Sequence, residues 1–489
     1  MENEVREEIK EEIKEEVKAE TAAAEDTAAE IDLESLDAEL AAAKKMEQNK
    51  NTVFGKAAAV IALLMCIFQI ATVFRQLDVI PQRGIHTAFA FTILFLSMPL
   101  YEHVFKDKYA GNESFRRICR IIDIGLIVLL WAAVYMCKYE YDHLSDNFGR
   151  AGTWAAVAGC ILLLLVLEGT RRCLGYIMPV LATLFVIYAL VGKYIPGRLG
   201  HRGYTLSAIF KYLAIDLDGI FGTTISVSAS VIFMFIMFGA FLEASGCSNF
   251  INDLAISLTG KLRCGPALSA VVASALMGCI NGSAVANVVG TGTFTIPLMK
   301  SRGYKPEVAS GVEAVASTGG QILQPVMGSG AFLMVVFTMK PYTAIVKAAV
   351  IPAVLYFLGA GIAVFAQGEV GDVELLPEDQ IPKTRDVLKD GWLYLLIIGT
   401  LIWALLIVQY SPALSGLIGC ASVPVVMLLD RKKRFRLRDI PKTFIKTGYS
   451  ALSIVSGCAC AGIVVAMVSR TGLGVVFGDA MINAAGGNM

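Results

Sequence analysis

The sequence predicts an all-α, polytopic membrane protein, and three observations carry that expectation. They are an apolar excess too large for one soluble core, apolar runs long enough to cross a bilayer, and an apolar segment interrupted by polar residues at its centre. Of the 489 residues, 56% are apolar, and the mean hydropathy is +0.63. A single hydrophobic core stops growing near ~300 residues, so the surplus must face lipid. Runs near ~18 residues match the helix length that crosses a ~30 Å hydrocarbon layer, whereas porin-type strands would alternate over about ten residues.

Composition also excludes several classes. Formal charge is zero, so no nucleic-acid footprint is implied. The 11 cysteines fall mostly within apolar runs, as at Cys66, Cys160, Cys279 and Cys420, and read as small hydrophobes. The close pair Cys458 and Cys460 has neither metal-ligand nor redox spacing. The histidines (His86, His103, His143, His201) lie outside the polar breaks, and no H-E-x-x-H, G-x-S-x-G or P-loop pattern occurs. An enzyme is therefore not expected.

Residues 1–50 form an acidic segment in which Val5, Ile9, Ile13 and Val17 recur four apart among Glu and Lys. That spacing suits an exposed helix with oppositely charged neighbours, either a solvated tail or a partner-docking helix. No secretory signal peptide is visible, because the first apolar run begins near Val53. Spans are expected at 53–74, 85–100, 119–137, 152–168 and 175–192.

Lysine and arginine set the orientation. Lys44, Lys45, Lys50 and Lys56 precede the first span, and Lys106, Lys108, Arg116, Arg117 and Arg120 separate the second from the third. The outer loops carry only pairs such as Arg75 and Arg83, so the N-terminus is expected to be cytoplasmic. An amphipathic stretch, Tyr204 to Phe221, is expected to lie along the interface before a span at 225–243.

The segment Cys264 to Met299 is broken by Asn281-Gly282-Ser283. Each flank of about fourteen residues reaches roughly 21 Å as a helix, too short to cross, so a re-entrant hairpin is expected. It returns at Lys300, Arg302 and Lys305, on the cytoplasmic side. Spans at 307–338, 343–366, 391–409 and 413–429 then place the basic run Arg431 to Arg438 on that same side.

One self-similarity emerges. Ser245-Gly246, Asp253 and Gly260 recur as Thr471-Gly472, Asp479 and Gly486 at identical spacing, each after an apolar span. The first copy follows an outside-to-inside span and the second an inside-to-outside one, the arrangement of an inverted-topology repeat. On that pattern a second hairpin is expected after Gly487, and the second repeat reads as incomplete.

Chemistry concentrates at two breaks. In the hairpin, Asn281, Gly282, Ser283, Asn287 and Thr291 place carbonyl, amide and hydroxyl groups at membrane depth, where a broken backbone survives only lining protein or a wet cavity. Such oxygens suit Na⁺, and the helix restart near Ala284 favours an anion. Close helix packing by small residues is the structural alternative. The second break, Ser317 to Gly330, holds Gly319, Gly320, Gln321 and Pro325 in the middle of a span, as a plain kink or as part of an ion site. Glu313, one turn earlier, is expected to face the interior as a functional or structural acceptor.

The runs GCINGSAVANVVGTGTFTIPLMKSRGY (278–304) and EVASGVEAVASTGGQILQPVMGSGAFLM (307–334), with FGAFLEASG and IPGRLGHRGY, resemble the large membrane subunit of TRAP transporters, the tripartite ATP-independent periplasmic family. The likeness is greatest to the TAXI branch, where small and large membrane subunits are fused. It implies small-subunit-like helices over 51–197 and an inverted-repeat transport domain over 198–489. It further implies an elevator-type permease of the bacterial or archaeal cytoplasmic membrane that moves Na⁺ with a small organic acid delivered by an extracytoplasmic solute-binding protein. The ion and substrate site would include Asn281, Gly282, Ser283, Asn287, Thr291, Gly319, Gly320, Gln321 and Pro325, with Na⁺ at Ser283, Asn287 and Gly320; no other cofactor is implied. Gln324 departs from the family, standing where the first proline of a Pro-Pro pair is common. Two other classes compete: a membrane scaffold or membrane-embedded enzyme, and an ion channel needing no binding protein.

Overall fold

The computed structural model describes residues 52–101, 113–144, 146, 149–370, 373–430, 432 and 434–484. The acidic segment with its expected helix, Lys106, Lys108, Arg431, Lys433, Gly486 and Gly487 lie outside them. The described residues form helices without strands, nine of them long and apolar enough to cross a membrane.

Five helices come first: α1 (Val53–Phe74), α2 (Val79–Ser97), α3 (Glu113–Asp142), α4 (Thr153–Leu174) and α5 (Ile177–Val191). α2 is the most enclosed, and its His86 is wholly buried between Gln69 of α1 and Ser228 of a later span. Near the other end of the helices Arg172 donates to Asp123 at 2.7 Å, to Glu168 at 2.7 Å and to the Met98 carbonyl at 3.0 Å. Buried pairs of this kind cost about 3–5 kcal/mol when one partner is removed, because the other charge is stranded.

The expected interfacial stretch is a shorter helix, α6 (Leu206–Ile215), laid along α4. A Cβ on Gly159 would lie 1.9 Å from the Phe210 carbonyl, so the two backbones touch there. α6 stops at Ile215 because Asp216 turns the chain, its carboxylate accepting from the Asp218 amide.

α7 (Thr223–Ala244) crosses with one π-helical turn at Ser228–Ile232 and ends at Gly246, φ +86°. Three side chains fix that corner. Tyr394 donates to the Ser245 carbonyl at 2.7 Å, Arg434 lies 5.3 Å over the Tyr394 ring, and Arg434 clasps Asp430 through two contacts of 3.1 Å. α8 (Cys247–Thr259) follows, then the hairpin arms α9 (Gly265–Asn281) and α10 (Ala284–Ser301).

The arms pack side by side, and at 17 and 18 residues they are longer than the sequence reading gave. About 26 Å of helix nearly spans the hydrocarbon, so length alone does not make the hairpin re-entrant. Depth does. α11 (Pro306–Gly319) ends where a Cβ on Gly319 would meet Tyr356 and Phe357, the middle of the 29-residue helix α13 (Tyr342–Val370). The hairpin tip meets the next residue, Gly320, and so lies at mid-depth. α12 (Ser329–Thr338) completes the interrupted span.

The remaining helices are α14 (Thr384–Ile402), α15 (Pro412–Met427), α16 (Ile440–Ser450), α17 (Leu452–Thr471) and α18 (Leu473–Ala484). The repeat is visible here. α7 and α17 are each preceded by a short helix and followed by a left-handed glycine, Gly246 at +86° and Gly472 at +72°, then by another helix. Residues expected on one side also pair with one another: Lys446 with Glu243 and Arg434 with Asp390 at one end, Arg470 with Asp216 and Arg83 with the Phe221 carbonyl at the other.

Cysteines introduced at Leu262 and Lys305, both exposed, are expected to react with an impermeant maleimide from one and the same side. Labelling from opposite sides would break the hairpin topology. The Asp430 carboxyl is held down at about 2 by the Arg434 guanidinium and the amides of Arg434 and Lys432. Since the folded value lies below the unfolded one of about 3.9, this stabilisation is complete above about pH 4 and is lost as pH falls toward 2. Asp430→Asn should lower Tm at pH 7, and the gap to wild type should close on acidification.

Candidate ion and substrate site

Both breaks are written in local chemistry. Gly282 adopts φ +59°, where other residues are strained, and terminates α9. The Ser283 amide donates to Asn281 Oδ1 at 3.2 Å, and Ser283 Oγ accepts from the Ala286 amide at 3.3 Å, so α10 restarts with a side-chain cap. Opposite, α11 ends at Gly319, a 3₁₀ turn covers Gly320–Ile322, and the chain then runs on through a cis Gln324–Pro325 peptide to α12.

The two breaks interlock through backbone. A Cβ on Gly278 would lie 2.3 Å from the Gly320 Cα, and one on Gly282 would lie 2.6 Å from the Met327 carbonyl oxygen. The Val326 amide donates to the Cys279 carbonyl at 3.1 Å, the Gly328 amide to the Gln321 carbonyl at 2.7 Å, and the Tyr342 hydroxyl to the Pro325 carbonyl at 2.8 Å.

Behind the tip is a buried polar cluster. Asn287 is fully buried; its Nδ2 donates to the carbonyls of Ser274 at 2.8 Å and Ser317 at 3.4 Å, while its Oδ1 has no hydrogen-bond partner. One turn on, Thr291 donates to the Asn287 carbonyl at 2.8 Å and also contacts Glu313. Glu313, likewise fully buried, is surrounded by the hydroxyls of Ser274, Thr291, Thr295 and Ser317.

The residues expected from the sequence do not all fall together. Asn281, Gly282, Ser283, Asn287, Gly320 and Pro325 belong to the tip, to the cluster directly behind it, or to the facing break. Thr291 lies one turn deeper with Glu313, and Gly319 is packed beneath Tyr356. The Gln321 side chain is exposed, and its backbone carbonyl is what holds Gly328. Sequence reasoning did not single out Ser274 or Thr295. Thr295 had a legible signal, since Asn287, Thr291 and Thr295 recur four apart on one helical face; Ser274 had none.

Gly320→Ala would drive a Cβ to 2.7 Å from the Gly278 Cα and 3.0 Å from Asn287 Nδ2. We expect a loss of about 1–3 kcal/mol, the usual cost of overpacking, read as a fall in Tm. Gly311→Ala, with nothing within 4 Å, is the control and should leave Tm unchanged or raised.

The sequence family described as "Tripartite ATP-independent periplasmic transporter, DctM component" matches residues 161–489, well over half of the chain, beginning within α4. The C4-dicarboxylate TRAP transporter large permease protein DctM of Pseudomonas aeruginosa is 24% identical over 241 residues, covering 49% of this chain and 54% of that protein. The isethionate TRAP transporter permease protein DctMQ of Oleidesulfovibrio alaskensis is 30% identical over 190 residues, 37% of this chain and 30% of its own. The DctM protein of Vibrio cholerae is 28% identical over 158 residues, 32% and 33% of the two chains. The chain thus spans about half or less of the length of these relatives, and they are named as permease proteins, not as enzymes. The interlocked breaks and the family match agree with the resemblance read from residues 278–334: the chain belongs to the DctM component family of tripartite ATP-independent periplasmic transporters.

Proposed function

We propose that the chain is the permease of a secondary transporter that couples Na⁺ entry to uptake of a small organic acid, which an extracytoplasmic solute-binding protein delivers. The membrane is the cytoplasmic one, and the distribution of Lys and Arg supports an N-terminus on its inner side. One observation carries the reading: a buried acceptor, Asn287 Oδ1, has no donor at the place where two broken helices meet. Leaving such an atom unpaired costs about 1–3 kcal/mol, and a cation removes that cost.

Na⁺ would take Asn287 Oδ1 together with oxygens of Ser283, the N-cap residue one turn earlier, and of Gly320, where an added Cβ would lie 3.0 Å from Asn287 Nδ2. Hydroxyl and carbonyl oxygens are the hard ligands such an ion prefers, as in other transporters with discontinuous helices. The acid would meet the N-terminal end of α10 at Gly282 and Ser283, where the helix dipole favours negative charge. The names of the relatives, for C4-dicarboxylate and for isethionate, support a small organic anion as the substrate class. Because the ion and the anion meet the same tip, occupancy of one favours the other, which is coupling in thermodynamic terms.

The test is uptake into proteoliposomes holding the protein, with a matching solute-binding protein and radiolabelled C4-dicarboxylates and isethionate as probes. An inward Na⁺ gradient should drive uptake, and Asn287→Ala should reduce it at least tenfold. Uptake indifferent to the Na⁺ gradient would refute the coupling.

A further inference from the structure

Among the described residues, no cation lies beside Glu313, a carboxyl group buried at membrane depth. Its partners are hydroxyls from α9, α10 and α11, which satisfy oxygen lone pairs but supply no charge. Among the described residues, the helices packed most closely on α11 carry no positive charge near it. α9 has no ionisable group besides Cys279. The one charge of α10, Lys300, is exposed in its last turn, and the other charge of α11, Glu307, is exposed in its first. On α13, Lys347 is exposed near one end of the helix and Glu369 is near the other. An ionised carboxylate so placed is costly in hydrocarbon, and a cation bound nearby would remove part of that cost.

A second, independent observation says where the balancing charge goes. Ser274 and Ser317 each face two ways: their hydroxyls lie 3.1 Å from Glu313 Oε1, and their carbonyls accept from Asn287 Nδ2. The carboxylate and the amide are thereby the two ends of one bracket. Holding Nδ2 in that bracket leaves Asn287 Oδ1 as the buried atom without a donor.

We infer that Glu313 is the fixed negative charge of the coupling-ion site, a positioning residue that sets Asn287 through Ser274 and Ser317 and makes the site selective for a cation without touching it. This rests on the Na⁺ reading above. Two substitutions separate charge from shape. Gln keeps the length and an acceptor oxygen but removes the charge, and Asp keeps the charge on a shorter stem. A mere strut tolerates Gln better than Asp; a charge-balancing group tolerates Asp better than Gln.

The experiment is equilibrium ²²Na⁺ binding to the purified full-length protein, with monodispersity and Tm recorded for each variant. A variant that does not survive detergent is assayed in native membranes. We expect saturable binding by wild type, weakening of at least tenfold in Glu313→Gln, and less than threefold in Glu313→Asp. Gln binding within threefold of wild type, or Asp binding more weakly than Gln, would overturn the role of Glu313 while leaving the Na⁺ site standing. Absence of saturable binding in wild type would overturn both.

Discussion

Backbone that leaves the helix inside a hydrocarbon layer must find partners within the protein, and the arrangement of this chain follows from how two such stretches partner each other. The hairpin tip and the interrupted span meet glycine against glycine, at Gly278 and Gly320, because any side chain there would hold the backbones apart. Close approach then lets Val326 reach the Cys279 carbonyl. Two buried side-chain atoms close to this contact, Asn287 Oδ1 and Asn281 Nδ2, have no hydrogen-bond partner, so an ion or anion bound there would complete a network that the protein leaves open.

Around this contact the rest of the molecule serves to fix depth and angle. Tyr356, midway along α13, lies over Gly319 and donates to the Val315 carbonyl at 2.8 Å. Tyr394 and the Arg434–Asp430 clasp set the corner from which α8 leads into the hairpin. The first five helices attach through a polar seam, where His86 bridges Gln69 and Ser228, and through apolar contact of α1 with α16, where Gly448 lies against Ala62. A buried histidine with both ring nitrogens partnered is a specific joint between helices, in contrast to the non-directional packing around it.

Much of this was legible in the sequence because it depends on local rules. Length and hydropathy placed the spans, Asn281-Gly282-Ser283 placed the turn, and the repeated Ser/Thr-Gly spacing marked two corners that share left-handed glycines. Arm length was misjudged because the tip needs only Gly282 and Ser283 outside the helix, so helical residues continue almost to the turn. Gln321 read as a ligand because it is polar and beside Gly320; the residue is exposed, and its backbone carbonyl accepts from the Gly328 amide within the same break. The Ser274–Glu313 contact and the Arg172–Asp123 pair were beyond sequence reasoning for another reason: they join different helices, and nothing in local spacing says which small polar residue faces which charge.

The central claim is that the tip docks on the break at mid-membrane and offers Asn287 Oδ1 to a cation. Cryo-electron microscopy of the protein in Na⁺ and in choline tests it most directly. The account predicts the Gly278–Gly320 contact in the Na⁺ structure, with a density feature beside Asn287 Oδ1 that disappears in choline. A tip held away from the Gly320–Gly328 segment in Na⁺, with Asn287 Oδ1 hydrogen-bonded to protein, would contradict it.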